Sequence, residues 1–251
     1  MDYFSLAGKN AIVTGGNTGL GLAFATALAQ AGANILVPSI VPEQAGDCDL
    51  IEDAGVAYQH MAVDITEPEA PASVIKHCVD HYGSVDILVN CAGISLLKKV
   101  KKFTRAEWDK MLSVNLTAAF ELSHHAAKVM IPQRSGKIIN ICSLFSFLGG
   151  QGSPAYAATK HGLAGFTKAY CDELARYNIQ VNGIAPGYYA TELTRATRDD
   201  PDSNQRVLDH IPAGRWGEAE DLMGAMVFLA SRASDYVNGH ILTVDGGYLV
   251  R

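Results

Sequence analysis

The sequence predicts a single α/β domain: a doubly wound parallel sheet of about seven strands with helices on both faces. Three observations predict it. Short runs rich in Val, Ile and Leu alternate with helix-length segments along the whole chain. A glycine-rich stretch follows the first such run. No Pro/Gly/Ser linker, low-complexity tract or internal repeat divides the 251 residues, which are enough for one large domain. The first run, "NAIVT" (10–14), is followed by a helical pattern, "GLGLAFATALAQAG" (19–32), and then by "NILVP" (34–38). The series continues with "AYQHMAV" (57–63), "DILVN" (86–90), "KIINI" (137–141), "IQVNGI" (179–184) and "HILTV" (240–244). Continuous apolar runs suit parallel strands covered on both faces, and the intervening segments are long enough for right-handed crossover helices. The polar, Arg-rich stretch 191–212, punctuated by Pro201 and Pro212, is the expected irregular region. It reads either as a lid over a site or as a pair of solvated surface helices.

Composition narrows the partners. The chain is 48% hydrophobic and 18% charged, an ordinary globular balance, and its net charge of -6 gives no support to nucleic-acid binding. Five cysteines, odd in number and scattered without a C-x-x-C pair, suit reduced thiols better than a disulfide framework or a zinc site. His124 and His125 add no ligand spacing, so no metal is expected. The N-terminus lacks a signal-peptide pattern, and no run approaches the roughly 20 apolar residues of a membrane span. A cytoplasmic protein without nucleic-acid or membrane partners is expected.

Two stretches carry chemistry. "TGGNTGLG" (14–21) places Gly15, Gly19 and Gly21 between the first strand and the first helix. The spacing is not G-x-G-x-x-G, but the physical work is the same: a tight turn, close approach of backbone to a pyrophosphate, and a helix N-terminus presenting N–H groups. After the second strand stands Ser39, with no acidic residue until Glu43 and no Arg or Lys between 33 and 75 to receive a 2′-phosphate. NAD is therefore expected over NADP. The second stretch is "YAATKHGLAGFTKAY" (156–170), where Tyr156 and Lys160 stand four apart on one helical face. A cation held beside a phenol favours its ionised form, so such a tyrosine can take a proton from an alcohol as hydride leaves, or return one to a ketone. Ser143, at the end of the fifth strand, can hydrogen-bond the same oxygen. Taken alone, Tyr and Lys at this spacing are common on amphipathic helices.

Together these pieces resemble the short-chain dehydrogenase/reductase family from end to end. "TGGNTGLG" matches T-G-x-x-x-G-x-G, "NCAG" (90–93) matches N-x-A-G, and Asn115 lies in "SVNL". Ser143 stands thirteen residues before Tyr156, "YAATK" matches Y-x-x-x-K, and "APG" (185–187) precedes Thr191 by four residues. The resemblance implies a Rossmann-type fold, Tyr156 as general acid/base, Lys160 as its cationic partner on the nicotinamide ribose, Ser143 on the substrate oxygen and Asn115 on a proton-relay water. It implies a cofactor site of Gly15, Asn17, Thr18, Gly19, Leu20, Ser39, Asp64, Ile65, Asn90, Ala92, Gly93, Pro186, Gly187 and Thr191, with Tyr156 and Lys160. Asn90 would brace the central sheet beside the cofactor. It also implies a homotetramer.

The segment 211–251, with "GIAPGYYATE" and "FSLAGKNAIVTGGNTGLG", is similar to the branch that oxidises or reduces sugar acids of the 2-keto-3-deoxygluconate, 2-deoxygluconate and gluconate type. Substrate candidates are Ser95, Phe145, Tyr188 and Arg195. One departure bears on the substrate: that branch carries arginines shortly after N-x-A-G and before the tyrosine. This chain has Leu96 and Leu97, then Lys98 and Lys99, in the first place, and "GGQGSPAY" (149–156) in the second. A lysine does not reproduce bidentate carboxylate binding by a guanidinium. Arg195, Arg198 or Arg215 could take over from the lid side, and a neutral ketose or polyol is the alternative substrate. A protein that senses the cofactor without turnover is a third reading, opposed by the intact set of Asn115, Ser143, Tyr156 and Lys160.

Overall fold

The computed structural model describes residues 2–46 and 48–251. Its strands are β1 (Asn10–Val13), β2 (Asn34–Ser39), β3 (Tyr58–Ala62), β4 (Ile87–Asn90), β5 (Gly136–Ile141), β6 (Ile179–Pro186) and β7 (Ile241–Val244). They form one seven-stranded parallel sheet in the order β3-β2-β1-β4-β5-β6-β7. Each strand falls on one of the apolar runs, and the reason lies in the two faces. Ile12, Leu36, Leu88, Ile138 and Val181 pack into one core with α3 (Ala70–Tyr82), α5 (Ala118–Gln133) and α6 (Pro154–Leu174). Ile35, Val37, Ile87, Val89, Ile139 and Ile184 pack into the other with α1 (Gly19–Gln30), α2 (Asp49–Glu52) and α9 (Met223–Ala230). Alternate residues of a strand face opposite sides, so a sheet covered twice requires apolar side chains at consecutive positions.

Helix α4 (Arg105–Leu112) runs into α5 through a π-turn at Ser113–Thr117. Within 191–212, expected to be irregular with a surface helix pair as one reading, the helix pair forms: after a short turn come α7 (Arg195–Asp199) and α8 (Pro201–His210). The local chemistry explains the second helix. Asp200 accepts the Ser203 N–H at 2.8 Å as an N-cap, and Pro201 occupies the first helical position, where its missing N–H is harmless. No described helix is long and apolar enough to cross a membrane.

A polar network pins the helices of one face to the sheet. Asn90 donates to Asn140 at 2.8 Å and to the Ser123 hydroxyl of α5 at 2.9 Å; Asn140 donates to the Thr167 hydroxyl of α6 at 2.9 Å. Asn90 and Asn140 are register partners on β4 and β5, and Asn140 is fully buried. Removing one member strands the others without water. Asn140→Ala is therefore expected to lower unfolding stability by about 1–3 kcal/mol, read as a reduced denaturation midpoint with an unchanged m-value.

Candidate active site

The strand order reverses between β1 and β4, and in such sheets ligands bind in the crevice beyond the carboxyl ends at that point. The turn leaving β1 carries Gly15 at φ +65° and Gly19 at φ +52°, the left-handed region that suits glycine. A Cβ on Gly21 would stand 2.2 Å from the Gly15 carbonyl oxygen, so the first turn of α1 closes tightly against the strand. The Thr14 hydroxyl accepts the N–H groups of Cys91 and Ala92, both at 2.9 Å, which locks this turn to the "NCAG" turn after β4. Thr18 is extended just before α1, and Leu20 packs partly on the core beneath. Asn17 donates to the Val41 carbonyl at 2.9 Å, while its Oδ1 is buried without a partner. Ser39 ends β2 and accepts the Val41 N–H at 3.1 Å. A cradle that a side chain would fill, a free helix N-terminus and an orphaned acceptor fit a dinucleotide.

On the other side of the crevice, Tyr156 sits in the first turn of α6 and Lys160 one turn later. Lys160 is only 5% exposed. Its ammonium donates to the Ile141 carbonyl, the last of β5, at 2.6 Å and lies 5.5 Å from the Tyr156 ring centroid. Ser143 follows β5 in extended conformation and accepts the Phe145 N–H at 3.2 Å; its own N–H donates to Ser146, whose hydroxyl donates to the Lys160 carbonyl at 2.8 Å. The Phe145 ring stands edge-on to Tyr156, with centroids 5.7 Å apart. Asn115 lies in the π-turn, where its Oδ1 accepts the Ile94 N–H at 2.8 Å and its amide donates to the Ile94 carbonyl at 2.9 Å. It thereby fixes the loop bearing half-buried Ser95, and Gly93 lies against its side chain. A π-turn displaces one backbone position from the helical ladder, a frequent device at functional sites.

The remaining predicted residues are placed as follows. Asp64 is exposed and accepts the hydroxyl and N–H of Thr66, which hold its carboxyl below the usual range; Ile65 beside it is buried. Pro186 ends β6, and Gly187 follows where a Cβ would meet the Asp245 backbone at 2.6 Å. Thr191 opens the turn into α7, its N–H donating to Thr194 at 3.1 Å. Tyr188 is half-buried, with burial pushing its phenol up to about 12, and packs against Tyr248 and Trp216 at centroid distances of 5.2 and 5.6 Å. Arg195 is turned outward: it pairs with Glu192 at 3.2 Å and both side chains are more than half exposed.

The aromatic wall around Tyr188 was only partly legible. The Tyr248 ring lies tilted against His210 with centroids 4.2 Å apart, and Trp216 donates to Asn204 of α8 at 2.7 Å. The signal is the pairing of Pro186 with Val244, which brings the segments after β6 and β7 side by side. The strand runs alone do not reveal that register.

Crevice, glycine turn and tyrosine–lysine pair define a nicotinamide-dependent oxidoreductase, and the chain belongs to the short-chain dehydrogenase/reductase family. Residues 15–249 match the family described as enoyl-(acyl carrier protein) reductase. The chain is 69% identical, over its whole length and 96% of the relative, to a protein of Escherichia coli (strain K12) named uncharacterized oxidoreductase YgcW. It is 48% identical, over its whole length and 98% of the relative, to 2-dehydro-3-deoxy-D-gluconate 5-dehydrogenase of Bacillus subtilis (strain 168). Among solved structures, a gluconate 5-dehydrogenase from Burkholderia cenocepacia J2315 in complex with NADP and tartrate superposes with a TM-score of 0.93 at 40% identity, covering 100% of this chain and 98% of that one.

The turn that carries Trp216 is closed by Arg215, which grips Asp221 through two hydrogen bonds of 2.6 and 2.9 Å. The guanidinium, helped by the Glu218 N–H, holds the Asp221 carboxyl down at about 2. A carboxyl depressed in the folded state contributes stability above its unfolded value near 3.9, and loses it as pH falls toward 2. Arg215→Gln is accordingly expected to melt below the parent at pH 7, with the gap in melting temperature closing between pH 4 and pH 2.

Proposed function

We propose that this protein is an NAD-linked dehydrogenase that interconverts a secondary alcohol and a ketone on a sugar acid of the gluconate type. The observation that carries this reading is the buried Lys160 ammonium, held on the Ile141 carbonyl and facing the Tyr156 ring beside Ser143. When bound, the nicotinamide ring supplies the hydride acceptor or donor. Ser143 orients the substrate oxygen, and Tyr156 takes the hydroxyl proton in oxidation or returns it in reduction. Lys160 stabilises the negative charge on the phenol oxygen while the proton is away, and holds the nicotinamide ribose. Asn115 keeps the 94–96 loop and the proton path in place. The names of the full-length relatives support the sugar acid, and binding of tartrate, itself a hydroxy acid, by one of them accords with it.

The preference for NAD is supported by the end of β2. Ser39 turns its hydroxyl onto the backbone, Ile40 and Val41 are exposed, and no cation stands between 33 and 75 to meet a 2′-phosphate. The Burkholderia relative binds NADP, so the two cofactors are the direct test. Helices α7 and α8 are read as the lid, anchored by Trp216 and Tyr248. A homotetramer is supported by an aromatic cluster shared by α5 and α6, in which Phe120, 40% exposed, meets Phe166 and Tyr170 at 6.2 and 6.4 Å. We place the protein in the cytoplasm. The second reading, a neutral ketose or polyol substrate, is favoured by the Lys98–Glu107 ion pair, which engages the nearest lysine after "NCAG".

Tyr156→Phe is expected to lower kcat by on the order of 10²–10⁴-fold while NADH still binds, as read by nucleotide fluorescence. With gluconate-type substrates, kcat/KM with NAD should exceed that with NADP by about tenfold, a difference of about 1.4 kcal/mol; equal values or an NADP preference would overturn the cofactor assignment.

A further inference from the structure

A sugar acid carries a carboxylate, and binding it away from water calls for a cation, best a guanidinium with two parallel N–H donors. The loops after β4 and before α6 offer no arginine, and Lys98 is paired with Glu107. Among the arginines of the segment above the crevice, Arg215 is gripped by Asp221, Arg195 faces Glu192 in solvent, and exposed Arg206 donates to Ser203. Arg198 differs from all three. Among the described residues it has no carboxylate partner; its side chain is half-buried, and its Nε is buried with no hydrogen bond at all. Its one contact, Nη2 to the Thr191 carbonyl at 2.9 Å, folds the guanidinium back from α7 onto the turn that leaves β6. The same carbonyl accepts the Thr194 hydroxyl at 3.1 Å, and that hydroxyl also donates to the Tyr189 carbonyl at 2.6 Å. The cation thus rests against the turn that carries Tyr188, at the carboxyl end of the sheet. A partly desolvated, uncompensated charge is costly, and an anion relieves that cost.

We propose that Arg198 is the residue that binds the substrate carboxylate and so sets the preference for acids over neutral polyols. This rests on the sugar-acid reading above. The test compares kcat/KM for gluconate and glucitol with NAD in the parent enzyme, R198Q, R198K and the control R206Q. The parent should favour gluconate by about tenfold or more, R198Q should lose about tenfold on gluconate, mainly through KM, and change less than about threefold on glucitol. R198K, which retains charge but not the fork, should fall between, and R206Q should match the parent. NADH binding and thermal unfolding of R198Q should match the parent; if R198Q does not fold, R198K carries the comparison. An equal loss on both substrates would make Arg198 only a brace for the Thr191 turn, and about tenfold weaker NADH binding would assign it to the cofactor phosphates. Either result overturns the proposal, as does an acid preference that survives in both Arg198 variants. If the parent shows no acid preference, the sugar-acid reading itself fails and takes the proposal with it, an outcome distinct from a preference that Arg198 does not set.

Discussion

The site depends on one hydrogen bond, from the Lys160 ammonium to the Ile141 carbonyl. A buried ammonium costs several kcal/mol unless its protons find acceptors. The last carbonyl of a strand, freed where the ladder ends, is such an acceptor. Meeting it sets the rotation of α6 about its own axis, and Tyr156, four residues earlier, then has to face the crevice. The carbonyl of the same lysine accepts from Ser146, which also receives the Ser143 N–H. Side chain and main chain of one residue therefore fix both Tyr156 and Ser143, the groups proposed to meet the substrate oxygen.

Features set by local periodicity were legible in the sequence. The seven apolar runs became the seven strands because a doubly covered sheet leaves no polar face, and the four-residue spacing of Tyr156 and Lys160 survived because α6 is regular there. The glycines of the first turn were readable for a related reason: positive φ and close backbone approach leave few alternatives to glycine. Features set by a single cap, by a break in helical period or by a particular loop ion pair were hidden. The helix pair in 191–212 was one of two readings of a polar, proline-punctuated segment, because composition does not weigh the Asp200 cap that starts α8. The π-turn at Asn115 has no periodic signature, since it is a departure from period. The ion pairs that engage Lys98 and Arg195, with Glu107 and Glu192, depend on how the turns fold and are not spelled by composition.

The polar interior follows a consistent logic. Asn90, Asn140, Ser123 and Thr167 lie where α5 and α6 cross the middle strands, and they specify which helix sits over which strand. Apolar contacts alone would tolerate small slips along the sheet. Directional bonds between buried partners do not, because each slip leaves a donor stranded. The position of α6 is thus set below the crevice, by buried residues that bond to one another between helix and sheet.

The reversal of strand order between β1 and β4 has an evolutionary consequence. The residues proposed to meet the adenosine half of the cofactor are borne by β1 and β2, whereas those proposed to meet the reacting carbon are borne by β5, β6 and α6. Among the described residues no hydrogen bond joins the two groups, and substitutions at well-separated sites without common partners combine nearly additively. Nucleotide choice and reaction chemistry can therefore drift independently in descendants of this chain. One half can be retuned to a different redox pool while the other keeps its substrate.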